Sequence, residues 1–141
     1  MGCRGAKTAA YSINPDLAIA LDITVSGDIP GTPPEEAITE LDKGPAIKVM
    51  DRLSNSHMGL IAAPSIVRQL KSVAREHEIP HQLEVFMAGS TDAATMHTER
   101  GGIPSGAILL PTRYVHAHEV VSGRDMAHMR DLLVHYLQSL G

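Results

Sequence analysis

The chain has 141 residues, 43% of them hydrophobic and 20% charged, and a formal net charge of −4. That suits one globular domain with one core, and it leaves no basic footprint for a nucleic-acid backbone or an acidic membrane. One phenylalanine, three tyrosines and no tryptophan argue against an aromatic sugar cleft or a base-stacking platform, and the single cysteine, Cys3, excludes an internal disulfide.

No stretch approaches the roughly 20 apolar residues of a membrane span, and no signal-peptide core opens the chain, so the expected location is cytoplasmic. Leu17 to Val25, LAIALDITV, follows an Asn14-Pro15 turn. Its near-continuous apolar run predicts a strand buried on both faces. Next comes the loop Gly27 to Pro45, with four of the nine prolines; an irregular stretch of that length is usually functional or disordered. Ala46 to Met50 reads as a short strand. Ile66, Val67, Leu70, Val73, Ala74 and His77 recur at helical spacing, and Pro80 follows as a stop. Gln82 to Met87 alternates like a strand, Thr91 to Arg100 fits a short helix, and Gly106 to Pro111 is a further apolar strand.

The last segment predicts a helix. Met126, Met129, Leu132, Leu133, Tyr136, Leu137 and Leu140 form one apolar stripe, read as core packing. Ser122 and Asp125 have the spacing of a capping box. Alternating strands and helices give an α/β fold, here expected as a three-layer α-β-α sandwich on a mostly parallel sheet with right-handed crossovers.

Ligands of such sheets bind at the carboxyl ends of the strands. Those ends carry Asp22, the turn Ala88-Gly89-Ser90-Thr91-Asp92, and the run Pro111-Thr112-Arg113-Tyr114-Val115-His116. If the strands are parallel, two carboxylates, two hydroxyls, an arginine and a histidine meet on one edge. Asp22 is the sharpest residue, because a carboxylate in an apolar strand is costly unless it is paired or binds a metal. The residues alone leave open a ligand role, a cap or an ion pair with arginine. His116 and His118 share one side of an extended segment; the other six histidines read as solvated. Local zinc motifs, a nucleophile elbow and phosphate-binding glycine loops are absent, and Cys3 has no evident base.

Four segments, GCRGAKTAAYSINPDLAIALDITVSGDIPG, LDKGPAIKVMD, IPHQLEVFMAGSTDA and GGIPSGAILLPTRYVHAHEVV, resemble in the same order the second half of the M42 metalloaminopeptidases, some labelled endoglucanase M or cellulase. The resemblance covers essentially the whole chain. It implies a zinc-exopeptidase-like fold and a zinc- or cobalt-dependent enzyme. Such an enzyme removes N-terminal residues from peptides with two metal ions that share a bridging carboxylate, and its members form dodecameric tetrahedra or smaller assemblies. By resemblance, Asp22 is a terminal ligand of one metal and His116 of the other, while Thr91, Asp92 and Arg113 line the substrate site. Ser90 stands where the family has glycine in its G-T-D-A turn.

The family's first histidine ligand, bridging aspartate and glutamate pair precede V-G-x-R-G-A. Here that motif is Met1-Gly2-Cys3-Arg4-Gly5-Ala6. The expectation is therefore a C-terminal portion of the catalytic domain. The catalytic glutamates and the inserted dimerisation domain would lie upstream, and the chain would be inactive alone. A misassigned start at a valine codon is one origin for such a chain. The alternative is a non-catalytic remnant that associates with relatives or binds peptides. Lost upstream strands would leave sheet edges open to self-association.

Overall fold

A computed structural model describes residues 2–141. The elements run α1 (Arg4–Ile13), β1 (Ala18–Val25), a 3-10 turn (Pro34–Glu36), β2 (Ala46–Arg52), β3 (Gly59–Ile61), α2 (Pro64–Glu76), β4 (Gln82–Phe86), α3 (Ala93–Met96), β5 (Ser105–Arg113), β6 (Val120–Val121) and α4 (Gly123–Gln138). No helix is long and apolar enough to cross a membrane among the described residues. The expected strands and helices are present, with shifted ends. The short β3 and β6 and the helix α1 go beyond the sequence reading. The stripe of α1 is short and made mostly of alanines, Ala6, Ala9 and Ala10 with Ile13, and only Ala10 is buried.

The sheet corrects the expectation of mostly parallel strands. β1 and β5 are parallel, with Asp22 level with Leu109. β2 runs antiparallel to β5 through Ala46 and Ile47, then pairs antiparallel with β3 and parallel with β4. The sheet is therefore mixed. Its halves β1–β5 and β2–β4 run in opposite directions, which alternation of strands and helices cannot encode. A register shift between Lys48 and Met50 bends β2, as an inserted residue does. The sheet also curls, for the Thr24 hydroxyl of β1 reaches the Glu84 carboxylate of β4 across the two intervening strands, β5 and β2.

Two large apolar clusters and a small third one, Ala10 with Ala18 and Ile103, hold the chain. Ile47, Ile66, Leu70, Val73, Ile108, Leu132 and Tyr136 are buried where α2 and α4 pack on β2 and β5. Full burial of Leu70 or Leu132 contributes about 1.5–3 kcal/mol each. The second cluster is small-residue packing by Ala20, Ala46, Ala62, Ala93, Ala94 and Ala107 with Leu60 and Leu109, around α3, and α1 packs on α3. Successive β5 residues, Ile108 and Leu109, enter opposite clusters, as the pleat requires.

The stripe on α4 is only partly core. Leu132 and Tyr136 are fully buried, whereas Met126, Leu137 and Leu140 are 52%, 54% and 43% exposed. The helix meets α2 and β5 over a narrower arc than its apolar stripe. The capping pair also divides its work. The Ser122 hydroxyl accepts from the Asp125 N–H at 3.4 Å, but the Asp125 carboxylate accepts the backbone N–H groups of Asp42 at 2.7 Å and Gly44 at 2.8 Å. Gly44 has φ +88°, and a Cβ there would run into the Pro80 carbonyl; only glycine suits this crossing.

The proline-rich loop is thus fastened at its end by α4. It is also fastened at its start, where Asp28 accepts two hydrogen bonds from Arg113, at 3.0 and 2.7 Å, and one from the Leu41 N–H.

Candidate active site

The concave side of the curled sheet opens into a cleft of about 260 Å³, lined by Asp22 to Val25, Lys48, Phe86, Ala88 to Thr91, Val115 and His116. Three of the expected site residues, Asp22, Thr91 and His116, therefore share one space. Parallel strands are not what gathers them. β1 and β5 do end together, which brings in Asp22 and His116. β4 runs the other way, and the curl of the sheet with the turn after Phe86 returns Thr91. That turn is tied down by an Arg52–Gly89 bridge and by the Ser54 hydroxyl donating to the Met87 carbonyl at 3.3 Å.

Asp22 is exposed at the cleft. One of its oxygens accepts its neighbour's N–H, from Ile23, at 2.8 Å, and the other makes no hydrogen bond among the described residues. His116 lies just past β5 at φ +66°, two residues after Tyr114 at φ +59°. Such left-handed backbone is uncommon for residues other than glycine and gathers at turns and functional sites. The His116 N–H donates to Glu119 Oε1 at 2.8 Å. Its ring makes no hydrogen bond among the described residues. Thr91 is buried, and its hydroxyl has no partner among the described residues, a deficit that a bound group would relieve.

Asp92 is exposed and sits at the start of α3 beside Cys3 rather than in the cleft lining. Burial, then a hydrogen bond with Asp92, raises the Cys3 thiol above its ordinary value. The thiol form is therefore favoured at neutral pH. Arg113 is not brought to the cleft. Its guanidinium is committed to Asp28, and that pairing holds the Asp28 carboxyl far below the usual carboxylate range. His118 is exposed and lies outside the cleft lining.

Beneath the cleft lies a group that periodicity does not reveal. Lys48, Glu84 and Asp51 are 2%, 1% and 2% exposed. Lys48 Nζ is 2.5 Å from Glu84 Oε2 and 4.0 Å from Asp51 Oδ2, and stands 5.4 Å from the centre of the Phe86 ring. Buried charge is tolerated only when so paired. The sequence signal was present, a lysine inside the apolar run AIKVM and a glutamate inside LEVF, but neither residue announces the other.

Carboxylate and imidazole are both ligand types for zinc or cobalt, so Asp22 and His116 fit the chemistry of a divalent-metal site. No group of three or more His, Cys, Asp or Glu side chains is placed to hold an ion among the described residues. A catalytic zinc ordinarily takes three protein ligands; these two donors fit as contributions to a site and not as a whole one.

Comparison with known proteins decides the family. The M42 glutamyl aminopeptidase family model matches residues 1–132. The chain belongs to the M42 family. A relative from Acetivibrio thermocellus is 46% identical over 95% of this chain and 38% of its own length. Two solved structures superpose closely. An aminopeptidase of the archaeon Desulfurococcus kamchatkensis has a TM-score of 0.90 at 41% identity, over 99% of this chain and 38% of that one. The TET aminopeptidase of a marine-sediment Thaumarchaeota archaeon has a TM-score of 0.91 at 35% identity, again over 99% of this chain and 38% of that one. The M42 chain described here thus spans well under half the length of the relatives it matches.

Proposed function

We infer that the chain supplies the C-terminal part of the catalytic domain of a dinuclear metal-dependent aminopeptidase that hydrolyses N-terminal residues from peptides. The observation that carries this reading is the meeting of Asp22, His116 and the Thr91 hydroxyl, which has no partner among the described residues, in one cleft. Asp22 serves as terminal ligand to one divalent cation and His116 to the other, zinc or cobalt. Two divalent cations held there would supply Lewis-acid polarisation of a scissile carbonyl and a lowered pKa for an attacking water. The Thr91 hydroxyl orients the peptide, with Asp92 at the rim. Arg113, assigned to substrate by family resemblance, acts through Asp28 by holding the long loop against the end of β5.

Asp22 and His116 fall short of the three protein ligands a catalytic zinc ordinarily takes, so the residues described here are expected to have no aminopeptidase activity by themselves. In the complete domain the sheet continues in a three-layer arrangement, and the enzyme is a cytoplasmic homo-oligomer. Titration with Co²⁺, followed by visible absorption, tests the ligands. We expect weak binding that Asp22→Asn and His116→Ala each reduce. Binding unchanged in both variants would refute the assignment, and hydrolysis of an aminoacyl reporter by the pure chain, lost in His116→Ala, would refute inactivity.

A further inference from the structure

The buried charges beneath the cleft are connected to both of its walls. Glu84 has two ties: one oxygen meets Lys48 Nζ at 2.5 Å, and the other accepts the Thr24 hydroxyl. Thr24 and Asp22 are two apart on β1 and share a face. Among the described residues β1 otherwise pairs only with β5. The Thr24–Glu84 contact is its one hydrogen bond to the β2–β4 half among the described residues. Asp51 forms the second arm. Its Oδ1 accepts the Ser90 hydroxyl at 2.9 Å and the Leu60 N–H at 2.9 Å, while Oδ2 faces Lys48. Ser90 immediately precedes Thr91.

We propose that Lys48 is the positioning residue of the cleft, with two carboxylate arms: Glu84 holds Thr24 and through it Asp22, and Asp51 holds Ser90 and through it Thr91. Each arm ends one or two residues from a group that faces the cleft. A hydrophobic pair in these positions would pack as well, and frequently more stably. It would not fix the two walls, because apolar contacts are not directional, whereas the outer ends of the arms, Thr24 to Glu84 and Ser90 to Asp51, are hydrogen bonds; the inner links to Lys48 are ion pairs that anchor the carboxylates, with Glu84 Oε2 and Asp51 Oδ2 making no hydrogen bond among the described residues. The inference rests on reading the cleft as the peptide and metal site.

The arms make separable predictions that a general contribution to stability does not. Amide hydrogen exchange of the chain itself is the readout. Thr24→Val, which removes the hydroxyl at constant shape, is expected to speed exchange about tenfold over residues 22–25 and leave 90–92 unchanged. Ser90→Ala is expected to do the reverse, and Lys48→Met to loosen both. Thr24→Ser, which keeps the donor, restores the β1 segment. Where Lys48→Met does not fold, the two arm variants decide the matter.

The Co²⁺ titration adds a spectroscopic readout. Thr24→Val is expected to weaken Asp22-dependent binding by about tenfold, the usual scale for loss of outer support around a ligand. Exchange that rises uniformly along the chain, or that does not respond to either arm, overturns the proposal. Absence of Asp22-dependent cobalt binding in the unmodified chain refutes the metal reading instead, and leaves the exchange result to judge the positioning role.

Discussion

Ile47 and Lys48 are neighbours on β2, both essentially inaccessible to water, and they belong to opposite kinds of interior. Ile47 packs with Leu70, Ile108, Leu132 and Tyr136. Lys48 faces Glu84, Asp51 and the cleft. The apolar side gains from every methylene removed from water. The charged side loses solvation and recovers it only through partners in good geometry. Burial alone therefore does not identify a core; what is buried on the cleft side is machinery for holding walls.

The largest expected effect comes from breaking the charged side. Glu84→Ala leaves Lys48 without its closest partner and should cost about 3–5 kcal/mol in denaturant unfolding. The double variant Lys48→Met, Glu84→Met should recover most of that loss, because it removes both charges. If the double variant were as unstable as Glu84→Ala, the contrast between the two interiors would be mistaken. On the apolar side, Leu70→Ala should cost about 2–5 kcal/mol through lost burial and a residual cavity, with no apolar substitution nearby able to act as the double variant does.

A smaller effect is expected at the loop. The Asp28–Arg113 pair is partly open to solvent, which screens it, so Asp28→Asn should cost only about 1 kcal/mol at neutral pH. The folded state lowers the Asp28 pKa, through hydrogen bonds from Arg113 and, secondarily, Ser26. Its contribution is therefore complete above the ordinary carboxylate range and is lost as pH falls below it. Acid titration of the melting temperature should fall less steeply from about pH 5 downward in Asp28→Asn than in the parent chain. Parallel curves would count against this latch. Asp22→Asn, at an exposed carboxylate with one local hydrogen bond, should change stability by less than about 0.5 kcal/mol while reducing cobalt binding.

The two faces of β4 extend the comparison outward. Glu84 points in, whereas Leu83, Val85 and Met87 are 44%, 43% and 50% exposed. Val85 is level with Met50, which is level with Ile61, itself 75% exposed. β4 pairs only with β2 among the described residues, so a free edge adjoins an apolar face, a combination that favours association. Light scattering should find the chain self-associated, with Leu83→Lys and Val85→Lys together shifting it toward monomer. A sharp monomer in the parent chain would remove this surface from consideration.

The sequence by itself determined which segments become the main strands and helices, because periodicity, proline stops and turn residues act over a few positions. It also carried the candidate ligands. Asp22 stands out against an apolar strand, and His116 lies in a segment resembling the M42 family. Three things were decided only by tertiary structure. Strand direction depends on how β2 meets β5 across 60 intervening residues, and no local pattern reports it. Arg113 looked available until Asp28 came within reach. The inward turn of Glu84 reverses what alternation in QLEVF suggests, since Leu83 and Val85 would ordinarily be the buried pair. A charged residue faces inward only where its partners already wait, and Lys48, Thr24 and Asp51 become partners only when the sheet curls.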